Sequence, residues 1–179
     1  VEELEKYKNI KNKVFGAILD EFFAPNGRLC LDTQTAYLLS LHFGVYRDKN
    51  VIVSQLKTRL AKDMFKLKTG FVGTPLLLPV LLENNLVNDA YRILYNEECP
   101  GWLYEVNMGA TTIWERWNSL LPNGKISGID MNSFNHYSFG AVVEGIYSNI
   151  AGLKPLKAGF DEVLIEPKLN YRLKKLNFA

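Results

Sequence analysis

Glu115 is the residue whose surroundings best suit chemistry. It lies in GATTIWERW, residues 109–117, with Trp114 before it and Arg116 and Trp117 after it. Indoles accept the apolar C–H faces of sugars, and cleavage of a glycosidic bond uses carboxylates as acid, base or nucleophile. Such cleavage ordinarily takes two carboxylates, and the chain offers one strong candidate. From the residues alone three readings of Glu115 stand open. It is a base that activates water, an acid that protonates a leaving oxygen, or a helix carboxylate paired with a nearby Arg or Lys.

His136 is the second candidate. It follows Phe134 and Asn135 at the expected start of a helix, where the dipole disfavours a protonated imidazole. A neutral ring there suits a hydrogen bond to a hydroxyl; the competing reading is a structural histidine bonded to a backbone carbonyl. Trp102, Trp114 and Trp117 crowd the least regular part of the chain, either as stacking walls for a sugar or as core. Capping a helix already accounts for Asp32. His42, inside an apolar helix, reads as structural. No spacing of His, Cys, Asp and Glu suggests a metal, and no phosphate loop, dinucleotide fingerprint or nucleophile elbow is present. No cofactor is expected.

The elements that must position these residues are mostly helical. Apolar periodicity and turn residues predict helices over residues 3–23, 33–43, 49–66, 86–95 and 133–150. Asp32, Asp48 and Ser133 are the expected caps, and Gly44 and Gly152 the stops. Another helix is expected to begin at Thr74 with Pro75 in its first position, and Pro79 to kink or shorten it. Residues 100–108 read as a loop, 112–117 as a short helix, and 121–130 as turns. Residues 163–165 and 171–176 read as strands. Wet-faced and fully apolar helices alternate along the chain, which predicts two concentric layers, an α/α toroid of about seven helices. Residues 1–153 are therefore read as a partial helical barrel, and residues 154–179 as the start of a β-domain.

Composition narrows the function classes. The 179 residues are 47% hydrophobic and 22% charged, which is globular. A net charge of +2 with no basic stripe argues against nucleic acid as partner. The longest apolar run, residues 71–82, is interrupted by Pro75 and Pro79 and is too short to span a bilayer, so no membrane partner is expected. Cys30 and Cys99 read as two buried free thiols. The chain opens at Val1 directly into a charged helical pattern, as a piece of a longer protein would.

Four stretches carry a resemblance. DTQTAYLL at 32–39, TGFVGTPLLLPVL at 69–81, GATTIWERW at 109–117 and MNSFNHYSFGAV at 131–142 closely resemble the bacterial α-L-rhamnosidases of glycoside hydrolase family 78, over about residues 1–170. The resemblance implies a mainly α fold, the C-terminal half of an (α/α)6 barrel, followed by a β-sandwich domain. It implies inverting removal of terminal α-L-rhamnose from glycosides or polysaccharides. The sequence leaves the compartment open, with the bacterial cytoplasm or periplasm expected. Carried over residue by residue, it makes Glu115 the general base, His136 a rhamnose contact, and Trp102 and Trp117 walls of the sugar pocket.

The family's general acid lies in an upstream acidic motif that this chain does not contain. The chain alone is therefore expected to be weakly active or inactive, and to associate with itself or pair with a missing N-terminal part. Gly145 stands where a Trp is common, which predicts looser packing of the last helix. Two alternatives stay open: a non-catalytic helical carbohydrate-binding or scaffold remnant, and an (α/α)6 glycosidase of other specificity.

Overall fold

The structure, a computed structural model, describes residues 2–177. Val1, Phe178 and Ala179, at the ends of the two expected domains, lie outside it. The described chain is mainly helical, with α1 Glu2–Phe22, α2 Gln34–Phe43, α3 Lys49–Lys62, α4 Gly70–Glu83, α5 Val87–Leu94 and α6 Trp102–Asn107. The last helical stretch is composite: a 3₁₀ turn at Ser138–Ala141, α7 at Val142–Gly145 and a π turn at Ile146–Ile150. A two-stranded antiparallel hairpin follows, β1 Leu153–Pro155 and β2 Val163–Ile165.

The apolar helix α4 is the centre of the packing and touches α2, α5 and α7. Its Leu77, Leu78, Val80, Leu81 and Leu82 are buried. It starts before Thr74 and runs through both prolines, contrary to the expected start and break. An interior proline costs a helix about 3 kcal/mol, but each buried Leu or Val returns about 1.5–3 kcal/mol, so burial wins. Gln34, buried at the start of α2, donates to Asp63 Oδ2 (2.8 Å) and to the Lys66 carbonyl (2.9 Å) and accepts from Lys68 N (3.2 Å). Thr35 Oγ1 donates to the Thr69 carbonyl at 2.8 Å. These bonds fix where α4 begins, and so where Phe71 stands.

Other boundaries differ from expectation. Thr33, not Asp32, caps α2, with its hydroxyl accepting from Ala36 N. The Asp32 carboxylate is engaged elsewhere: it accepts from the Tyr37 hydroxyl at 2.9 Å and pairs with Arg59 at 3.4 Å. The Tyr37 bond, with Lys62 and Arg59 beside it, holds the Asp32 carboxyl below its ordinary range. α3 ends at Lys62 rather than 66, because Met64 and Phe65 turn to positive φ. Residues 100–108 contain α6 instead of being all loop. His42 and Phe43 lie exposed at the end of α2, and Cys30 is exposed rather than buried.

Residues 171–176 form no strand. They fold back so that Leu173 and Leu176 pack on the helices. Gly145 does not loosen α7: a Cβ there would sit 2.9 Å from Leu78, so the missing side chain lets α7 close onto α4.

Candidate active site

The GATTIWERW segment forms no helix, against expectation. Its backbone groups go to a second irregular segment instead. His136 N donates to the Ile113 carbonyl at 2.8 Å, and Glu115 N donates to the Ser133 carbonyl at 2.8 Å. The Thr112 hydroxyl bonds the Phe134 carbonyl. β-branched Thr111, Thr112 and Ile113 are weak helix formers, and these cross-links satisfy the groups a helix would have paired internally. Ser133, expected to cap a helix, uses its N–H on Glu115 and its hydroxyl on Asn135, and helical turns begin only at Ser138.

This stitching ties the segment that carries Glu115 to the segment that carries His136. Glu115 Oε2 accepts from Ser133 N at 2.9 Å, and the side chain is half-exposed. His136 is half-buried; its ring stacks on Phe71, with centroids 5.0 Å apart and planes 14° apart, and on Tyr137 at 5.6 Å. Ser138 N donates to His136 Nδ1 at 3.4 Å. That bond needs an unprotonated Nδ1, so Nε2 of the neutral ring carries the hydrogen and is a donor.

The indoles are placed differently from one another. Trp102 is in the core, 8% exposed, and donates Nε1–H to the Phe139 carbonyl at 3.0 Å. Trp117 is half-buried, stands edge-on to Trp102 at 5.5 Å and lies flat on Phe139 at 3.9 Å. Trp114 is buried against Phe134. The result is a row running Tyr137, His136, Phe71, Phe139, Trp117, with Trp102 behind it. Sequence reasoning missed Phe71, Tyr137 and Phe139 as members of this row. Phe139 was legible only as part of an apolar helix stripe, and Phe71 only as part of an apolar run.

It also missed Glu105 on α6. This carboxyl is 2% exposed, takes Trp114 N on Oε2 at 3.3 Å, and leaves Oε1 without a hydrogen-bond partner among the described residues. Burial pushes its pKa from 4.5 up to about 7. The half-exposed Glu115 carboxylate can accept a proton from water, while the His136 imidazole Nε2–H can donate to a hydroxyl.

Comparison with known proteins decides what family these motifs belong to. A family model described as the bacterial α-L-rhamnosidase six-hairpin glycosidase domain matches residues 1–150. The chain belongs to this family. The rhamnosidase relationship is close. An α-L-rhamnosidase of Formosa agariphila is 41% identical over 170 residues, which cover 93% of this chain and 18% of that protein. The crystal structure of Streptomyces avermitilis α-L-rhamnosidase complexed with L-rhamnose matches with a TM-score of 0.85 at 38% identity, covering 91% of this chain and 16% of that one. The native α-L-rhamnosidase of Aspergillus terreus matches with a TM-score of 0.88 at 34% identity, covering 93% and 20%. This chain thus spans a fifth or less of the rhamnosidases it matches, and its fold is a part of the six-hairpin, (α/α)6 domain.

Proposed function

We propose that this segment supplies the water-activating base and a sugar-contacting imidazole of an enzyme that removes terminal α-L-rhamnose with inversion. The observation that carries the reading is the setting of Glu115. Its carboxylate lies on an irregular segment, half-exposed, with Oε2 on a backbone N–H rather than in a helix ion pair with Arg or Lys. That bond orients the carboxylate and leaves lone pairs to take a proton from water. The water then attacks the anomeric carbon opposite the departing oxygen. Inversion needs a second carboxyl about 6.5–9.5 Å away to protonate that oxygen. We place that acid in sequence outside this chain, together with helices that complete the barrel.

His136 Nε2–H donates to a rhamnose hydroxyl, and Trp117 with Phe71 offers the apolar wall. Trp102 serves from behind by holding Trp117 edge-on. Substrates are rhamnose-containing glycosides or polysaccharides. The family relationship and the rhamnose-bound relative support this reading.

The test is Glu115→Gln in the full-length polypeptide, assayed on an aryl α-L-rhamnoside. We expect kcat to fall at least a hundredfold, in the range of about 10²–10⁴ that positioned base catalysis contributes. A loss below tenfold removes the assignment. Proton NMR of the first-formed sugar should show the β-anomer, and a panel of other aryl glycosides should show no comparable turnover.

A further inference from the structure

Residues 113–115 belong to no helix or strand, yet each backbone position is anchored. Ile113 and Glu115 are tied to the 133–136 segment, through His136 N and the Ser133 carbonyl, both at 2.8 Å. Trp114 N takes no part in that pairing. It meets Glu105 Oε2 at 3.3 Å. Glu105 thus braces the segment, one residue from the Glu115 carboxylate.

The brace is an unusual choice for a packing residue. Glu105 is 2% exposed and Oε1 has no partner among the described residues, an arrangement that costs more to bury than an apolar side chain of the same size. What the carboxyl adds is a single acceptor aimed at Trp114 N. Its burial also denies it any face toward a substrate, so it does not serve as the second carboxyl of hydrolysis. Among the described residues the Cys99 thiol, pushed up mainly by burial, also feels Glu105. Burial pushes the Glu105 pKa up to about 7, so the brace carries less buried charge near neutrality than an ordinary glutamate would.

We propose that Glu105 is a positioning residue for Glu115, holding the Trp114 backbone so that the neighbouring carboxylate stays on the Ser133 N–H and aimed at water. The proposal rests on the reading of Glu115 as base. A displacement of about 1 Å at a catalytic group can cost about a hundredfold in rate, so a brace one residue away has leverage on kcat.

The experiment compares Glu105→Leu, Glu105→Gln and Glu115→Gln in the full-length polypeptide on an aryl α-L-rhamnoside, with amide hydrogen exchange at Trp114. Glu105→Leu should lower kcat at least tenfold and leave KM within about threefold. Glu105→Gln, which still offers Trp114 N a carbonyl oxygen, should recover kcat to within about threefold of the unmodified enzyme. The Trp114 amide should exchange at least tenfold faster in the Leu variant than in the Gln variant. Unchanged kcat in the Leu variant overturns the proposal. A hundredfold loss in the isosteric Gln variant also overturns it, whether or not the Leu variant folds. Trp114 exchange that ignores both substitutions does the same. An active Glu115→Gln enzyme with accelerated Trp114 exchange in Glu105→Leu removes the base assignment and keeps the brace as a structural fact.

Discussion

At the scale of single residues the chemistry rests on groups of unlike visibility. Glu115 and His136 stand out in the sequence because they sit among aromatic residues, whereas Glu105 in WLYEVN falls in a stretch that reads as a loop, where a glutamate is expected to be solvated. Only the fold buries it, and burial is what gives it a titration near neutrality. Its carboxyl titrates near 4.5 in an unfolded chain and at about 7 in the folded one. Between those values the unfolded chain has released the proton and the folded one still holds it, so unfolding releases protons and rising pH favours it. The contribution of Glu105 to stability is therefore full below about pH 4.5 and is lost as pH rises toward about 7. Urea midpoints of the unmodified protein, measured against Glu105→Gln from pH 4.5 to 8, should fall relative to the variant across that window and then level. A constant difference would remove the buried-carboxyl account. His136 makes a separate prediction. Losing one hydrogen bond to a sugar costs about 1.4 kcal/mol, or tenfold, so His136→Ala should raise KM for an aryl rhamnoside about tenfold. A fall in kcat with KM unchanged would take the sugar contact away from it.

At the scale of elements, legibility follows how local the determinants are. The Asp48 cap of α3 accepts from Asn50 N, and Gly44 ends α2 in the left-handed region at φ 68°; both were readable because the chemistry lies within a few residues. The start of α4, the irregular course of GATTIWERW and the late start of α7 were not readable. Gln34, Ser133 and Glu105 set them from far along the chain. The candidate site followed the same rule. Which residues carry it was legible from motifs, but Phe71 joined it only because α4 begins at Gly70 and its ring meets His136. Gly145 shows a packing determinant of this non-local kind. Its contact is with Leu78 on α4, at 2.9 Å from where a Cβ would stand. Gly145→Ala should therefore destabilise by about 1–3 kcal/mol, as overpacking does. Pairing it with Leu78→Ala should give a strongly non-additive cycle, because the second truncation makes the room the first one lacks. Additive losses in urea unfolding would show that the two helices do not meet there.

At the scale of the whole molecule the uneven cover of the helices matters most. Residues 73–82 of α4 are mostly buried, but α1 has no buried residue, and Leu4, Tyr7, Ile10 and Val14 are all exposed. The uncovered surface continues into an apolar groove of about 320 Å³ between α1 and α2, lined by Ile18, Phe22, Leu31, Leu39 and Phe43. Phe43 at its end is 67% exposed. Contiguous apolar surface on this scale drives association in water. In the proposed enzyme, helices from outside the chain cover it; on the isolated chain, another copy is the available cover. Expressed alone, the chain should sediment as a dimer or larger species rather than at 20.4 kDa, with the proportion falling on dilution. Tyr7→Lys with Val14→Glu should shift it toward the monomer, since both side chains stand on the exposed face of α1 and neither supports the core. A clean monomer at micromolar concentration before any substitution would show that the exposed faces are tolerated in solution, and would leave the pairing with a missing N-terminal part without its physical drive.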